Sequence, residues 1–187
     1  MTIHALILAG GEGSRLGGVR KAELRLGGKT MLERLTERLP DGVRLLVSTG
    51  RLGSMSRIEG VPDREGVLAG PLAGLAAAVA HLRDAAPPDD VLVSVAVDTP
   101  FLPTGYFSRL ALGSPCYAAW RDQVYPTNAA YRLDMIMDLP ERAAELGSPR
   151  NLLKSLRAEP MAWEDAENPF ANLNTINDVI TLARRAQ

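Results

Sequence analysis

With 187 residues, 46% of them hydrophobic, the chain has the length of one domain and enough apolar side chains for a full core. Lys and Arg number 21 against 22 Asp and Glu, and the net charge of −1 excludes the basic excess of a general nucleic-acid binder, though not a small anionic ligand held by a few cations. The single cysteine, Cys116, excludes an internal disulfide or a Cys-rich zinc site, and two histidines, His4 and His81, leave little for triad or His-metal chemistry.

The first apolar run, Ala5 to Ala9, meets Gly10 and Gly11 too soon for a signal or membrane segment, so a soluble, cytoplasmic protein without a membrane partner is expected. Ala5-Leu6-Ile7-Leu8 reads as a strand covered on both faces, because apolar residues follow one another without alternation. Gly28-Lys29-Thr30 reads as a turn entering a helix. Thr30 and Glu33 have capping-box spacing, Leu32, Leu35 and Leu39 share a face, and Pro40-Asp41-Gly42 is placed as the stop. Val43 to Val47 is a second strand. An Ala-rich helix is predicted over 72–83, ending before Pro87-Pro88. Val91 to Val97 is the most apolar strand, and a last helix is predicted over 176–185. Residues 118–169 alternate poorly and read as a less regular, substrate-facing half of the same domain, and no internal repeat is visible.

Strand and helix alternating at this spacing imply a single-domain, three-layer α/β fold, Rossmann-like, with a mostly parallel central sheet. In such sheets ligands bind beyond the carboxyl ends of the strands, which points to the loops after Leu8, Val47 and Val97.

The first of these loops is the richest. Gly10, Gly11, Gly13, Gly17 and Gly18 let backbone amides approach a phosphate, and Arg15 and Lys21 add positive charge. Two phosphate-binding templates fail. Gly11 and Gly13 are followed by Leu16 where the dinucleotide motif needs glycine, and Glu23 stands where a P-loop ending in Gly28-Lys29-Thr30 needs its first glycine. Asp98 ends the most apolar strand, where a carboxylate is costly unless paired or bound to a cation; it reads as a Mg²⁺ ligand or as a cap before Pro100. Gly70-Pro71-Leu72-Ala73-Gly74 starts a helix whose amino end could face an anion. Asn172 and Asn174 would share a side if extended and could offer amides to a ligand, or else Asn174 or Thr175 caps the last helix. Ser14 and Ser48 have no nearby base, so electrostatic phosphate chemistry is favoured over covalent catalysis.

Together these segments resemble the nucleotidyltransferases, and within them the molybdenum cofactor guanylyltransferases. The likeness runs through Leu8-Ala9-Gly10-Gly11 with Arg15, Gly17-Gly18 and Lys21; Val61-Pro62-Asp63; Gly70 to Gly74; Asp98 to Pro103; Tyr125-Pro126-Thr127; and Phe170 to Thr175, in the family's order. The resemblance implies attack by the terminal phosphate of molybdopterin on the α-phosphorus of GTP, yielding the guanine dinucleotide cofactor and pyrophosphate. It implies that the Leu8–Gly11 backbone and Asp63 hold guanosine, with Ser48, Gly70 and Pro71 also on the nucleotide. Arg15 and Lys21 would contact the phosphates, Asp98 would bind Mg²⁺, and Asn172 and Asn174 would lie on the pterin side. The N-terminal part would thus bind GTP and the C-terminal part molybdopterin. An insertase and the receiving molybdoenzymes become partners by the same implication. Gly10, where related cytidylyltransferases tend to carry alanine, is consistent with room for a purine. Arg20 and Ser48 depart from the family, which usually has Asp and Asn there. Three other readings are a cytidylyl- or sugar-phosphate nucleotidyltransferase of the same fold, a non-catalytic nucleotide-binding module, and a dehydrogenase, the last undermined by the failed glycine spacing.

Overall fold

The protein is described here by a computed structural model covering residues 1–10, 12–13, 19–50, 60–62 and 70–185. The expected positions Gly11, Ser14, Arg15, Gly17, Gly18 and Asp63 lie outside the described residues.

A seven-stranded sheet forms the centre. Its strands are β1 (Ile3–Leu8), β6 (Arg44–Gly50), β7 (Gly60–Pro62), β8 (Val91–Ala96), β9 (Cys116–Trp120), β10 (Gln123–Arg132) and β11 (Glu159–Trp163). Two short ribbons precede β6: β2 (Glu12–Gly13) pairs with β3 (Val19–Arg20), and β4 (Arg25–Leu26) with β5 (Lys29–Thr30). The order across the sheet is β11-β9-β10-β8-β1-β6-β7, and β10 alone runs against the others. The expected mostly parallel sheet is what forms.

Alternation along the central strands builds a core on each face. Ala5 and Ile7 point into one cluster, with Val93 and Val95, beneath α1 (Met31–Thr36), α3 (Tyr106–Leu112) and α6 (Ile176–Arg185). Leu6 and Leu8 point into the other, with Leu92, beneath α2 (Pro71–Leu82), α4 (Leu139–Leu146) and α5 (Pro149–Ser155). This is the three-layer arrangement expected from two-sided apolar strands.

The capping box forms as its spacing predicts: Thr30 Oγ1 accepts the Glu33 N–H at 3.1 Å, and Glu33 Oε2 accepts the Thr30 N–H at 2.6 Å. The helix is shorter than expected, however. It ends at Thr36, with Glu37 as its C-cap, rather than at Pro40, and Leu39 packs from the following turn. The larger correction concerns residues 118–169, which are regular. They hold most of β9, then β10, α4, α5 and β11. Their apolar pattern is weak because β10 carries a bulge between Tyr125 and Ala129, and because β11 is an edge strand with only Trp163 buried.

Candidate active site

β1 and β8 are parallel neighbours, and the chain leaves them toward opposite edges of the sheet: to β6 and β7 from one, to β10, β9 and β11 from the other. Loops after such a pair diverge and leave a crevice at the carboxyl ends. A cleft of about 210 Å³ opens there. Its floor is Leu8, Ala9 and Gly10 from β1 with Ala96, Val97 and Asp98 from β8; Lys21, Pro71, Thr127 and Asn172 close the sides.

The polar centre is a trio drawn from three distant parts of the chain. Lys21 Nζ donates to Asp98 Oδ2 at 2.9 Å and to Asn174 Oδ1 at 2.5 Å. The Lys21 and Asp98 side chains are 19% and 17% exposed, so the pair faces the cleft without being in bulk water. The carboxylate at the end of the most apolar strand is therefore paired, which meets the desolvation cost that made its position conspicuous. Among the described residues, it belongs to no cluster of three or more metal-ligating side chains.

Backbone bonds lock the Asp98 turn. Val97 N–H donates to Leu8 O at 3.2 Å, and Leu173 N–H donates to Asp98 O at 2.8 Å, which ties the Asn172–Asn174 segment to the turn. Thr99 Oγ1 donates to Ala96 O at 2.7 Å, and Ala96 N–H donates to Asn128 Oδ1 at 3.0 Å. Asn128 is fully buried in the β10 bulge, where its side chain replaces the strand partner that the bulge removes. No sequence signal marked Asn128; an isolated Asn in a strand reads as a turn residue. Thr127, one residue earlier in the Tyr125-Pro126-Thr127 motif, lines the cleft.

The two readings of Asn174 and Thr175 separate cleanly. Thr175 caps α6: its Oγ1 accepts the Asp178 N–H at 3.2 Å, and Asp178 Oδ2 accepts the Asn174 and Thr175 N–H groups at 2.9 and 2.7 Å. That leaves the Asn174 side chain for Lys21, while Asn172 is exposed on the cleft wall. These N–H donors, with the Thr175 hydroxyl and the Lys21 charge, outweigh desolvation and hold the Asp178 carboxyl below its ordinary range.

Helix α2 brings its amino end to the cleft through Pro71, placing the positive end of its dipole there. Gly70, at φ +88°, makes the entry turn in the left-handed region that glycine favours. Ser48 sits elsewhere than expected of a ligand contact. It is 2% exposed beneath Gly74 of α2 and outside the cleft lining; its carbonyl accepts the Ala9 N–H at 2.9 Å, so it supports the β1 end from behind. Arg20 Nη1 lies 3.9 Å from Glu23 Oε1, which partly balances the charge reversal noted there.

A family model described as the MobA-like NTP transferase domain matches residues 5–159. The chain belongs to this family. It is a nucleotidyltransferase. A molybdenum cofactor guanylyltransferase from Acidiphilium cryptum is 35% identical, over 95% of this chain and 92% of that protein. Among solved structures, molybdopterin-guanine dinucleotide biosynthesis protein A from Archaeoglobus fulgidus superposes with a TM-score of 0.68 at 22% identity, covering 98% of this chain and 96% of that one. A 2-C-methyl-D-erythritol 4-phosphate cytidylyltransferase from Thermus thermophilus gives 0.66 at 20% identity, over 100% of this chain and 99% of that one. Both structures share the fold of this nucleotidyltransferase. Among the described residues, no helix is long and apolar enough to cross a membrane.

Proposed function

We propose that this nucleotidyltransferase transfers GMP from GTP to the terminal phosphate of molybdopterin, forming the guanine dinucleotide cofactor and releasing pyrophosphate. One observation carries the reading: Lys21, Asp98 and Asn174 meet at the mouth of the β1/β8 cleft. A cation, a carboxylate and an amide from three distant parts of the chain thus meet at one point, which supports a nucleotide on one side of it and an acceptor on the other. The likeness in sequence to molybdenum cofactor guanylyltransferases favours the guanylyl reading over the cytidylyl or sugar-phosphate alternatives.

The attacking group is already an anionic phosphate, so no strong general base is needed, and catalysis reduces to positioning and charge neutralisation. Leu8, Ala9, Gly10 and Gly11 line up backbone against the nucleoside, and Asp63 holds the base or ribose. Gly10 leaves space a methyl group would fill, which suits a purine. Pro71 and Gly70 bring the α2 dipole toward the phosphates, Ser48 braces Ala9, and Arg15 and Lys21 neutralise charge on the triphosphate. Asn172 and Asn174 face the pterin. The N-terminal part thus serves GTP and the C-terminal part the acceptor.

Asp98 suits Mg²⁺: a hard cation of this kind takes one or two carboxylates and fills its remaining positions with phosphate oxygens and water. A partly buried carboxylate that opens on the cleft beside a single lysine is such a donor set. Bound there, the ion would polarise phosphoryl oxygens and offset charge on the departing pyrophosphate. With Asp98 engaged in that way, Lys21, bonded also to Asn174, would be free to meet the phosphates. Work in the cytoplasm, with hand-over to an insertase or a receiving molybdoenzyme, completes the reading.

The test is pyrophosphate release with molybdopterin as acceptor, comparing GTP, CTP and ATP in Mg²⁺. Release with GTP alone is expected. Preference for CTP would overturn the base assignment, and silence with all three nucleotides despite binding would return the non-catalytic module.

A further inference from the structure

Asn174 is held from both sides. On one, the Leu173 N–H donates to Asp98 O at 2.8 Å. On the other, Asp178 Oδ2, in the first turn of α6, accepts the Asn174 N–H at 2.9 Å and the Thr175 N–H at 2.7 Å. The stretch that presents the Asn174 amide to Lys21 is thus bracketed by two aspartates, one through its backbone carbonyl and one through its carboxylate.

A helix cap needs only part of this. In a capping box the N-cap hydroxyl accepts the N–H of the third helical residue, whose side chain reaches back to the N-cap N–H. Thr175 and Asp178 make both bonds. The bond to the Asn174 N–H lies one residue before the cap, outside the donors that a helix start leaves open. It fixes the backbone of the residue whose side chain holds Lys21: Asn174 Oδ1 accepts from Nζ at 2.5 Å, and Nζ donates in turn to Asp98 Oδ2 at 2.9 Å. Asp178 is half-buried and within electrostatic reach of the Lys21 ammonium. Two carboxylates therefore act on one lysine, Asp98 by direct contact and Asp178 across Asn174.

We propose that Asp178 is a positioning residue for the transfer reaction: it fixes the Asn174 backbone, and through the Asn174 amide it holds Lys21 in the cleft. The role rests on the reading of Lys21 as a cation that neutralises the triphosphate. Asn174 is neutral, so unlike Asp98 it directs the ammonium without cancelling its charge. A lysine stem is flexible and spreads its ammonium over many positions unless a partner holds it. A small displacement of such a group is costly in rate.

The experiment compares Asp178→Ala with Thr175→Ala in the full chain. Each removes part of the capping box, so both should lower the melting temperature, but only Asp178→Ala releases the Asn174 N–H. One readout is pyrophosphate release with molybdopterin as acceptor; the other is the Asn174 side-chain amide signal in ¹⁵N spectra without substrate. Asp178→Ala should cut kcat by about tenfold, as for a misplaced catalytic group, with KM for the nucleotide little changed. It should also move the Asn174 amide signal, as Lys21→Ala does. Thr175→Ala should leave kcat and that signal near the parent's, and Asp178→Glu, which keeps the carboxylate, should recover kcat. In the Lys21→Ala background Asp178→Ala should cost no further activity, because its effect runs through the lysine. The proposal is overturned if Thr175→Ala lowers kcat as much as Asp178→Ala, if the loss persists in full without Lys21, or if the Asn174 signal stays in place in Asp178→Ala. A parent that releases no pyrophosphate with any nucleotide would instead sink the proposed reaction, and the amide signals would then decide the link from Asp178 to Lys21 by themselves.

Discussion

Lys21 and Asp98 are 77 positions apart in the chain, yet their side chains meet at 2.9 Å where β1 and β8 part. Both are mostly, not wholly, withdrawn from water, so the pair adds little to stability, on the order of 1 kcal/mol after solvent screening. Its value lies in holding charge ready at the cleft. Lys21→Ala should therefore cut pyrophosphate release by about 30- to 1,000-fold, the scale of one lost preorganised contact at 2–4 kcal/mol, while the melting temperature moves little. Turnover within twofold of the parent would remove Lys21 from the chemistry.

Asp98→Asn keeps the size of the side chain and the Leu173-to-Asp98 backbone bond, but removes the negative charge. The expected result is loss of Mg²⁺-dependent turnover with the fold retained by circular dichroism. Unchanged activity at saturating Mg²⁺ would deny the carboxylate its metal role.

A close approach of backbones explains a residue the sequence offered only as part of a helix start. A Cβ built on Gly74 would lie 2.9 Å from Ser48 Cβ and 3.0 Å from Leu8 Cδ2, and closer still to Ser48 Oγ. Neither neighbour is a loose side-chain end, because Ser48 and Leu8 are buried in adjacent strands. Gly74→Ala should cost about 1–3 kcal/mol by overpacking, a fall in melting temperature of roughly 2–4 °C per kcal/mol. Because α2 must lift from the β1 end, KM for the nucleotide should rise as well. Ser48→Gly should restore part of the stability of Gly74→Ala; if the double variant is no better than the single, the clash is not the cause.

How much of this was legible follows from what each segment buries. β1 and β8 could be read because both their faces are covered, which leaves each strand apolar but for one buried residue, His4 and Ser94; α6 could be read because Thr175 and Asp178 begin it and its apolar face packs on one side only. The stretch from Cys116 to Trp163 hid its order. The β10 bulge breaks the period of two at Pro126 to Asn128, and α5 is seven residues long, too short for a periodic stripe to stand out. In the site, Lys21, Asp98 and Asn174 each carried a signal of their own, but only the fold shows that they touch. Asn128 carried none, since its role is to answer one N–H that the bulge leaves open.

That role is itself testable. Asn128 Oδ1 takes the Ala96 N–H two residues before Asp98, and its buried Nδ2 has no hydrogen-bond partner among the described residues. Asn128→Asp keeps the acceptor and Asn128→Leu removes it. The Leu variant should lose about 1–3 kcal/mol, the cost of an unanswered buried N–H. It should also lower kcat more than it raises KM, because the Asp98 turn loosens while the nucleoside contacts of β1 remain. A loss of stability alone, with kcat unchanged, would make Asn128 a purely structural residue.

At the opposite end of the sheet, acid should unlock the fold through Asp90. This carboxylate is 2% exposed and accepts the Thr2 N–H at 2.5 Å and a bond from His4 Nε2 at 2.9 Å. Burial is the largest influence and pushes its pKa up, but the Thr2 N–H, His4 and the terminal amine together outweigh it and hold the group below the usual carboxylate value. A depressed pKa means the folded state binds the proton less readily than the unfolded chain. The stabilisation is thus full above the unfolded carboxylate value of about 3.9 and drains away as pH falls through the lower folded value. Asp90→Asn should cost about 1–3 kcal/mol at neutral pH, the penalty for weakening a buried charged hydrogen bond, and should flatten the acid limb of stability against pH. Urea titrations at pH 7 and below pH 4 check this: if parent and variant lose stability in parallel on acidification, Asp90 is not the group that fails.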